Sequence, residues 1–345
     1  MVKMDITIIS HYLDEGVGHG IARYSVNLVK ELMKKGITVR TINSFRWGKS
    51  RLKSAFDFFF FVPLKILLLP TKSCVYHLTA PQMGFVIPLF KKIYKKRIVT
   101  TIYDLHPILY FDNSLSSRMI KHSIKTAIIS SDLLLSISSQ TKEDIIENFG
   151  IPEDKIIVTP LGVSDRFRKL KIKKKEFTIG YVGGFAGNKD VPFLLRAYAI
   201  FEKQNKIKAQ LILYGTGAHY NPCMELAKEL GIKNVEFRGF AKDDDLVRIY
   251  NSFDVFVFPS TLEGFGLPII EAQKCQTPVI VRKNARIPSE VTKFCMLVSD
   301  EQDLAKTLEK NYHNKFTFTA EHKKHIAHFT WKNCVEKTLE TYKIS

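Results

Sequence analysis

The chain has 345 residues, of which 45% are hydrophobic, 12% aromatic and 25% charged. With 18 Gly, 13 Pro and a mean hydropathy of -0.05 it is neither collagen-like nor disordered, and its length suits two domains of about 100–200 residues each. The net charge of +18 is unevenly spread, with 29 Lys and Arg against 14 Asp and Glu in residues 1–175 and 23 against 20 in residues 176–345, so the first half points to an anionic partner: a phosphate-bearing acceptor, an acidic membrane surface or nucleic acid.

In chain order, short β-branched runs alternate with longer amphipathic stretches. Strands are predicted at 4–10, 37–42, 73–78, 97–103, 133–138 and 156–159 in the first half. Between the first two, Ile21, Tyr24, Leu28 and Leu32 mark a helix over 20–35, since apolar residues three and four apart share one helical face. The opening MVKMDITIIS reads as a strand and not as a leader peptide. The most apolar segment, 55–70, is interrupted by Asp57, Pro63 and Lys65 and falls short of the roughly 20 apolar residues a membrane span needs. Its Phe58–Phe61 cluster reads as helix core. Seven Lys or Arg between 166 and 175 mark a solvated linker over 166–176. Strands follow at 177–183, 209–214, 234–238, 254–258, 278–282 and 294–298, with helices at 190–203 and 331–343.

This alternation predicts an α/β protein of two doubly wound parallel sheets: a first domain over 1–165, the linker, a second domain over 177–328, and a terminal helix in 329–345 that packs back across the cleft between them. Five cysteines without a C-x-x-C spacing indicate neither a disulfide framework nor a zinc site, which suits a reducing, cytoplasmic setting.

The strongest local signal is DVFVFPSTLEGFGLPIIEAQKCQTPVIV, residues 254–281. A buried strand ends at Pro259, a glycine-punctuated loop follows, and Leu267–Pro268 open a helix. Unpaired amides at Gly264–Leu267, with the helix dipole behind them, form an anion site. Gly264 and Gly266 let a phosphate approach. Glu263 and Glu271 bracket that site. As acceptors only, they fit sugar or ribose hydroxyls better than phosphate.

At E-G-F-G-L-P-I-I-E, residues 263–271, the sequence resembles the E-x7-E signature of the retaining glycosyltransferases of family 4, which have the GT-B fold. The likeness runs through GIARYSVNLVKEL (20–32), RIVTTIYDLHP (97–107), LSISSQTKEDI (135–145), KIIVTPLGVSDRF (155–167), IGYVGGFAGNKDV (179–191), LILYGTG (211–217) and the segment 235–260 to FTWKNCVEKTLETY (329–342). The resemblance implies two Rossmann-like domains facing a cleft, and transfer of a hexose-type sugar from a nucleotide-diphosphate-sugar to a hydroxyl acceptor, a lipid-linked or growing glycan. It implies that Glu271 binds the ribose, Glu263 the transferred sugar, and the amides of Phe265, Gly266 and Leu267 the diphosphate, with Gly264 beside them. By the same likeness Lys189 neutralises the leaving diphosphate, Gly20 lets a helix start approach the phosphates, and the loop at Phe240 faces the base. No metal or other cofactor is implied.

Three positions depart from the family pattern. Gly184 stands where an Arg is common, Tyr103 where many members have a His near the reacting sugar, and Gln276 where Gly is usual. His106, three residues on, is the substitute candidate, with Tyr103 offering a hydroxyl donor. A nucleotide-sugar-binding protein without transfer, or a nucleotide-sugar hydrolase or epimerase, are the alternative readings.

Other signals are set aside. In GVGHG (16–20) the third glycine of a dinucleotide fingerprint would fall on Ile21. The acidic Asp243–Asp245 reads as helix capping and dipole complementation, and His322, His325 and His328 as surface and interface residues. Lys49, Arg51 and Lys53, with Lys91, Lys92, Lys95, Lys96 and Arg97, suggest an anionic membrane surface on the acceptor side, hence a peripheral protein of the inner membrane face. Nucleic acid explains the charge but neither the paired glutamates nor the glycine loop.

Overall fold

The computed structural model describes residues 5–10, 13, 20–43, 62–68, 73–110, 112, 114–204, 207–314 and 316–343. The expectations for Phe58–Phe61 and for Lys49, Arg51 and Lys53, and most of GVGHG, lie outside these residues. The chain divides into two compact units, one of residues 1–162 with 331–345, the other of residues 163–330.

The first unit is built on six parallel strands: β1 (Asp5–Ser10), β2 (Thr38–Asn43), β3 (Val75–Leu78), β4 (Arg97–Ile102), β5 (Leu133–Ser136) and β6 (Ile156–Val158), in the order β2-β1-β3-β4-β5-β6. β3 and β5 are buried at every residue, as expected of strands covered by helices on both faces. Helix Gly20–Lys34 turns Ala22, Tyr24, Ser25, Leu28 and Leu32 inward, the face its periodicity marks. The order reverses between β1 and β3, and Ser10, Ser25 and Thr79 form a buried chain of hydroxyls there, at 3.1 and 2.7 Å.

The terminal helix Trp331–Lys343 belongs to this unit, with Cys334, Val335, Thr338, Thr341 and Tyr342 buried. The Tyr342 hydroxyl lies 2.5 Å from His77 Nδ1, His77 Nε2 lies 2.7 Å from Thr101 Oγ1, and Arg97 donates to the carbonyls of Thr341 and Tyr342. His77 is fully buried, and burial pushes its pKa down to about 3.

The second unit repeats the plan with β7 (Phe177–Val182), β8 (Ala209–Tyr214), β9 (Val235–Phe237), β10 (Val255–Phe258), β11 (Val279–Arg282) and β12 (Met296–Val298), in the order β12-β11-β10-β7-β8-β9. Its core joins Ile179, Leu194, Leu211, Val257 and Ile280. The order reverses between β7 and β10, and crevices at such reversals, outside the carboxyl ends of the strands, are where ligands of open α/β sheets bind.

The basic segment 166–176 is not a free linker. It belongs to the second unit, where Phe167 is buried. Leu170 N donates to Asn251 Oδ1 at 2.7 Å, and Lys174 Nζ donates to the Phe253 carbonyl and pairs with Asp254. Its backbone and Lys174 are held to the unit because these acceptors, some 80 residues away in sequence, lie at the end of helix Leu246–Ser252, while Lys169, Lys171, Lys173 and Lys175 are exposed.

Candidate functional site

The site begins where β10 runs out. Beyond Pro259 comes Ser260, fully buried with a hydroxyl that has no partner among the described residues. The next loop is stitched to its neighbours by three backbone bonds and one from the Asn188 side chain. Thr261 N donates to Asn188 O at 2.8 Å, Asn188 Nδ2 to Leu262 O at 3.2 Å, Glu263 N to Arg286 O at 2.9 Å, and Arg286 N to Thr261 O at 2.8 Å. The loops after β7, β10 and β11 are therefore one fabric. Gly266, at φ +96°, turns the chain into helix Leu267–Lys274, a conformation that side chains other than glycine adopt at a cost. Pro268 fills the first turn without sacrificing a bond.

No partner is found among the described residues for the N–H groups of Gly264, Phe265, Gly266 and Leu267. Four such donors at a helix start make an anion cradle. Phe265 contributes its amide while its ring is buried, 5.9 Å from that of Phe329.

Lys189 ends a short 3-10 turn over Gly187–Lys189, and Asp190, at φ +38°, is clamped by an ion pair with Arg282. Lys189 Nζ stands 2.5 Å from Glu263 Oε1 and 5.8 Å from the centre of the Phe258 ring. Their side chains are 21% and 13% exposed, so water screens this pair far less than it does a surface pair. Glu271 is buried, and its Oε2 accepts the Tyr250 hydroxyl at 2.8 Å.

The floor comes from the ends of β7 and β8. Gly183 N donates to Tyr214 O, Phe185 N to Thr216 O, and Gly215 N to Gly239 O. The Tyr181 hydroxyl donates to Gly184 O at 2.7 Å. Burial first, then the charge of Glu263, pushes the Tyr181 pKa up, so it stays a neutral donor. A Cβ on Gly184 would meet only Thr216 O, at 3.8 Å, so crowding does not impose the glycine there. Phe240, just past Gly239, is 68% exposed. Gln276 holds a left-handed φ of +53°, the conformation in which glycine is usual.

The remaining expected residues lie in the first unit. Gly20 opens helix Gly20–Lys34 with open space at its Cβ position. Tyr103 does not offer the free hydroxyl expected of it. Its O–H is donated to the Thr79 carbonyl at 2.8 Å, its ring packs against Tyr24, and burial holds its pKa well above the usual phenol range. His106 is half-buried at the start of helix His106–Leu109, with its amide on Asp104 Oδ1.

The structure thus brings Lys189, Glu263, Gly264–Leu267 and Glu271 into one unit around one helix start. Asp243 and Asp244 face Arg166 at 3.9 and 3.5 Å, and Asp245 at the cap position makes no side-chain cap bond. Sequence reasoning missed Tyr250, Asn188, Ser260 and Arg286. No spacing rule flags them, because Tyr250 comes from helix Leu246–Ser252 and the other three from loops after three different strands. Among the described residues no group of three or more His, Cys, Asp or Glu is placed to hold a metal ion.

Comparison with known proteins bears on the family and the fold. The family model for glycosyl transferases group 1 matches residues 163–328, and that for glycosyltransferase family 4 matches residues 18–167. The chain is 26% identical over 272 residues to O-antigen chain mannosyltransferase B of Escherichia coli, covering 72% of this chain and 71% of that protein. It spans 33% of a longer mannosyltransferase that it also matches. Among solved structures, sucrose-phosphate synthase from Thermosynechococcus elongatus superposes with a TM-score of 0.79 at 19% identity, covering 99% of this chain and 98% of that one. Anabaena HepE in complex with UDP-glucose gives 0.75 at 16%, covering 98% and 100%. The fold is GT-B.

Proposed function

The chain belongs to the family 4, group 1 glycosyltransferases, and from that premise we propose that it moves a hexose, with retention, from a nucleotide-diphosphate-sugar to a hydroxyl of a lipid-linked or growing glycan. The observation that carries this reading is the pairing of Lys189 with Glu263 beside four unpaired amides at the reversal point of the second sheet. Diphosphate oxygens accept from the amides of Gly264–Leu267 and from Lys189. Glu263 accepts from hydroxyls of the sugar, and Glu271, oriented by Tyr250, from those of the ribose. Phe240 offers an exposed ring to the base. As the glycosidic bond breaks, negative charge grows on the leaving diphosphate. A fixed cation and a helix start stabilise it without reorganising at that moment, which suits a reaction that needs no metal. The acceptor hydroxyl attacks the anomeric carbon from the face the phosphate leaves, and its proton passes to the departing diphosphate oxygen.

HepE was solved with UDP-glucose, and the E. coli relative is named for mannosyl transfer. Both support a nucleotide-sugar donor and a glycan acceptor. We assign the acceptor to the first unit, at an anionic cytoplasmic membrane surface. On helix Ile87–Tyr94, Leu89 and Ile93 are 50% and 53% exposed, beside exposed Lys92 and, at the helix end, Lys95. Lys91 and Arg97 are engaged elsewhere, on Asp132 and on the terminal helix. No described helix is long and apolar enough to cross a membrane.

A thermal-shift panel of UDP-, GDP-, dTDP- and ADP-sugars tests the donor site. One nucleotide series at about 100 times its dissociation constant stabilises by roughly 2.7 kcal/mol, and Glu271→Ala diminishes the shift. No shift with any series overturns the reading. Gly184 in place of a second cation favours one rival, a protein that binds the donor without transferring it. Donor hydrolysis measured without acceptor separates the two, since only a working transferase releases sugar slowly to water.

A further inference from the structure

Among the described residues Lys189 and Glu263 are each other's only hydrogen-bonded side-chain partner, with the Phe258 ring 5.8 Å from the ammonium. At 2.5 Å and with little exposure, each already has what it needs. Under the proposed function, on which this inference rests, both must let go when the donor arrives: Lys189 is wanted by the diphosphate and Glu263 by the sugar hydroxyls. An intact donor compensates both losses together. A sugar-free nucleoside diphosphate compensates only one, because it draws Lys189 away and brings no hydroxyl to the carboxylate. Glu263 would then be left poorly hydrated, without a donor, beside added negative charge, which is the costly state of a broken ion pair.

We propose that the Lys189–Glu263 pair is an exchange latch that discriminates the sugar-loaded donor from the spent nucleoside diphosphate. While sugar is present, its hydroxyls occupy Glu263 and Lys189 is free for the diphosphate. Once the sugar has been transferred, Glu263 loses those hydroxyls and recaptures Lys189. The hold on the diphosphate loosens and the product leaves. Glu263 thereby sets product release as well as contacting the sugar, and the Lys189–Glu263 pair is the position to which the latch returns.

The test is a double-mutant cycle by titration calorimetry, using UDP, GDP and their hexose conjugates on the full chain. Glu263→Gln is expected to bind the sugar-free diphosphate about three- to tenfold tighter than the unmodified protein, the scale set by releasing Lys189 from a partly exposed pair. Toward the hexose conjugate it gains nothing or loses. In a Lys189→Ala background the gain toward the diphosphate disappears, because there is no cation to release. Glu263→Ala, which also frees Lys189, repeats the gain if the glutamine variant melts abnormally. Unchanged or weaker diphosphate binding by a variant with a normal melting curve overturns the latch. A gain that survives Lys189→Ala overturns it too, since simple charge repulsion then accounts for it. Failure of every nucleotide to bind the unmodified protein overturns the donor-site reading itself, whereas binding without the cycle's coupling defeats the latch alone.

Discussion

Gly184 is a vacancy that a side chain can fill: its Cβ direction meets nothing closer than Thr216 O at 3.8 Å, and no left-handed backbone holds it. Gly184→Arg is therefore expected to fold normally and to tighten nucleoside-diphosphate binding about three- to tenfold, as a second, partly exposed cation near an anion should. Calorimetric affinity beside a melting curve checks it, and no gain in affinity would place Gly184 away from the phosphates. That Lys189, Glu263 and Gly264–Leu267 come together was legible in the sequence because their positions after strands coincide with a helix start. Glu263, Lys189 and Gly264–Leu267 lie where strands end, and only backbone amides and charged tips are needed. Tyr103 was misread for the opposite reason. Its sequence position is right, but a carbonyl from a neighbouring strand end, Thr79 O, takes its hydroxyl. Partners of that kind leave no trace in local spacing.

Between residue and domain, the joints decide. The turn after β8 passes so close to the turn after β7 that a Cβ on Gly215, at φ +142°, would lie 1.7 Å from the Gly183 carbonyl oxygen. Gly215→Ala should cost more than about 2 kcal/mol of stability, while Gly184→Ala stays within about 0.5 kcal/mol. Urea denaturation of both variants compares them, and equal midpoints would contradict the packing. The twelve strands among the described residues were readable, with ends displaced by at most two residues, because central strands such as β5 and β10 are buried on both faces and write themselves as apolar runs, while the edge strand β2, TVRTIN, is marked by its β-branched residues. Segment 166–176 was not. Its seven cations suggest solvent, yet Asn251 and Asp254 recruit its backbone and Lys174. The Asp243–Asp245 run likewise satisfied a capping rule while Arg166 claimed two of its carboxylates.

At the scale of the whole molecule, charge and exposed apolar surface gather in the same half. The first 175 residues carry most of the positive excess, and Leu89, Ile93, Leu115 and Met119 are exposed there. Flotation with vesicles is expected to recover the protein with anionic phospholipid and not with neutral lipid alone. Recovery should fall as salt is raised past the range where the Debye length shrinks below about 8 Å. Equal recovery from both vesicle types would remove the membrane from the proposed function.

The route of the chain has a further consequence in time. The first unit is interrupted after Gly162 and completed only by Trp331–Ser345, whose Tyr342 closes over His77. On the ribosome its sheet is finished while its last helix does not yet exist. At about 5–20 residues per second, the nascent first unit waits on the order of ten seconds for Val163–Thr330 to be made. Throughout that wait a groove prepared for Cys334, Val335 and Tyr342 stands open to chaperones.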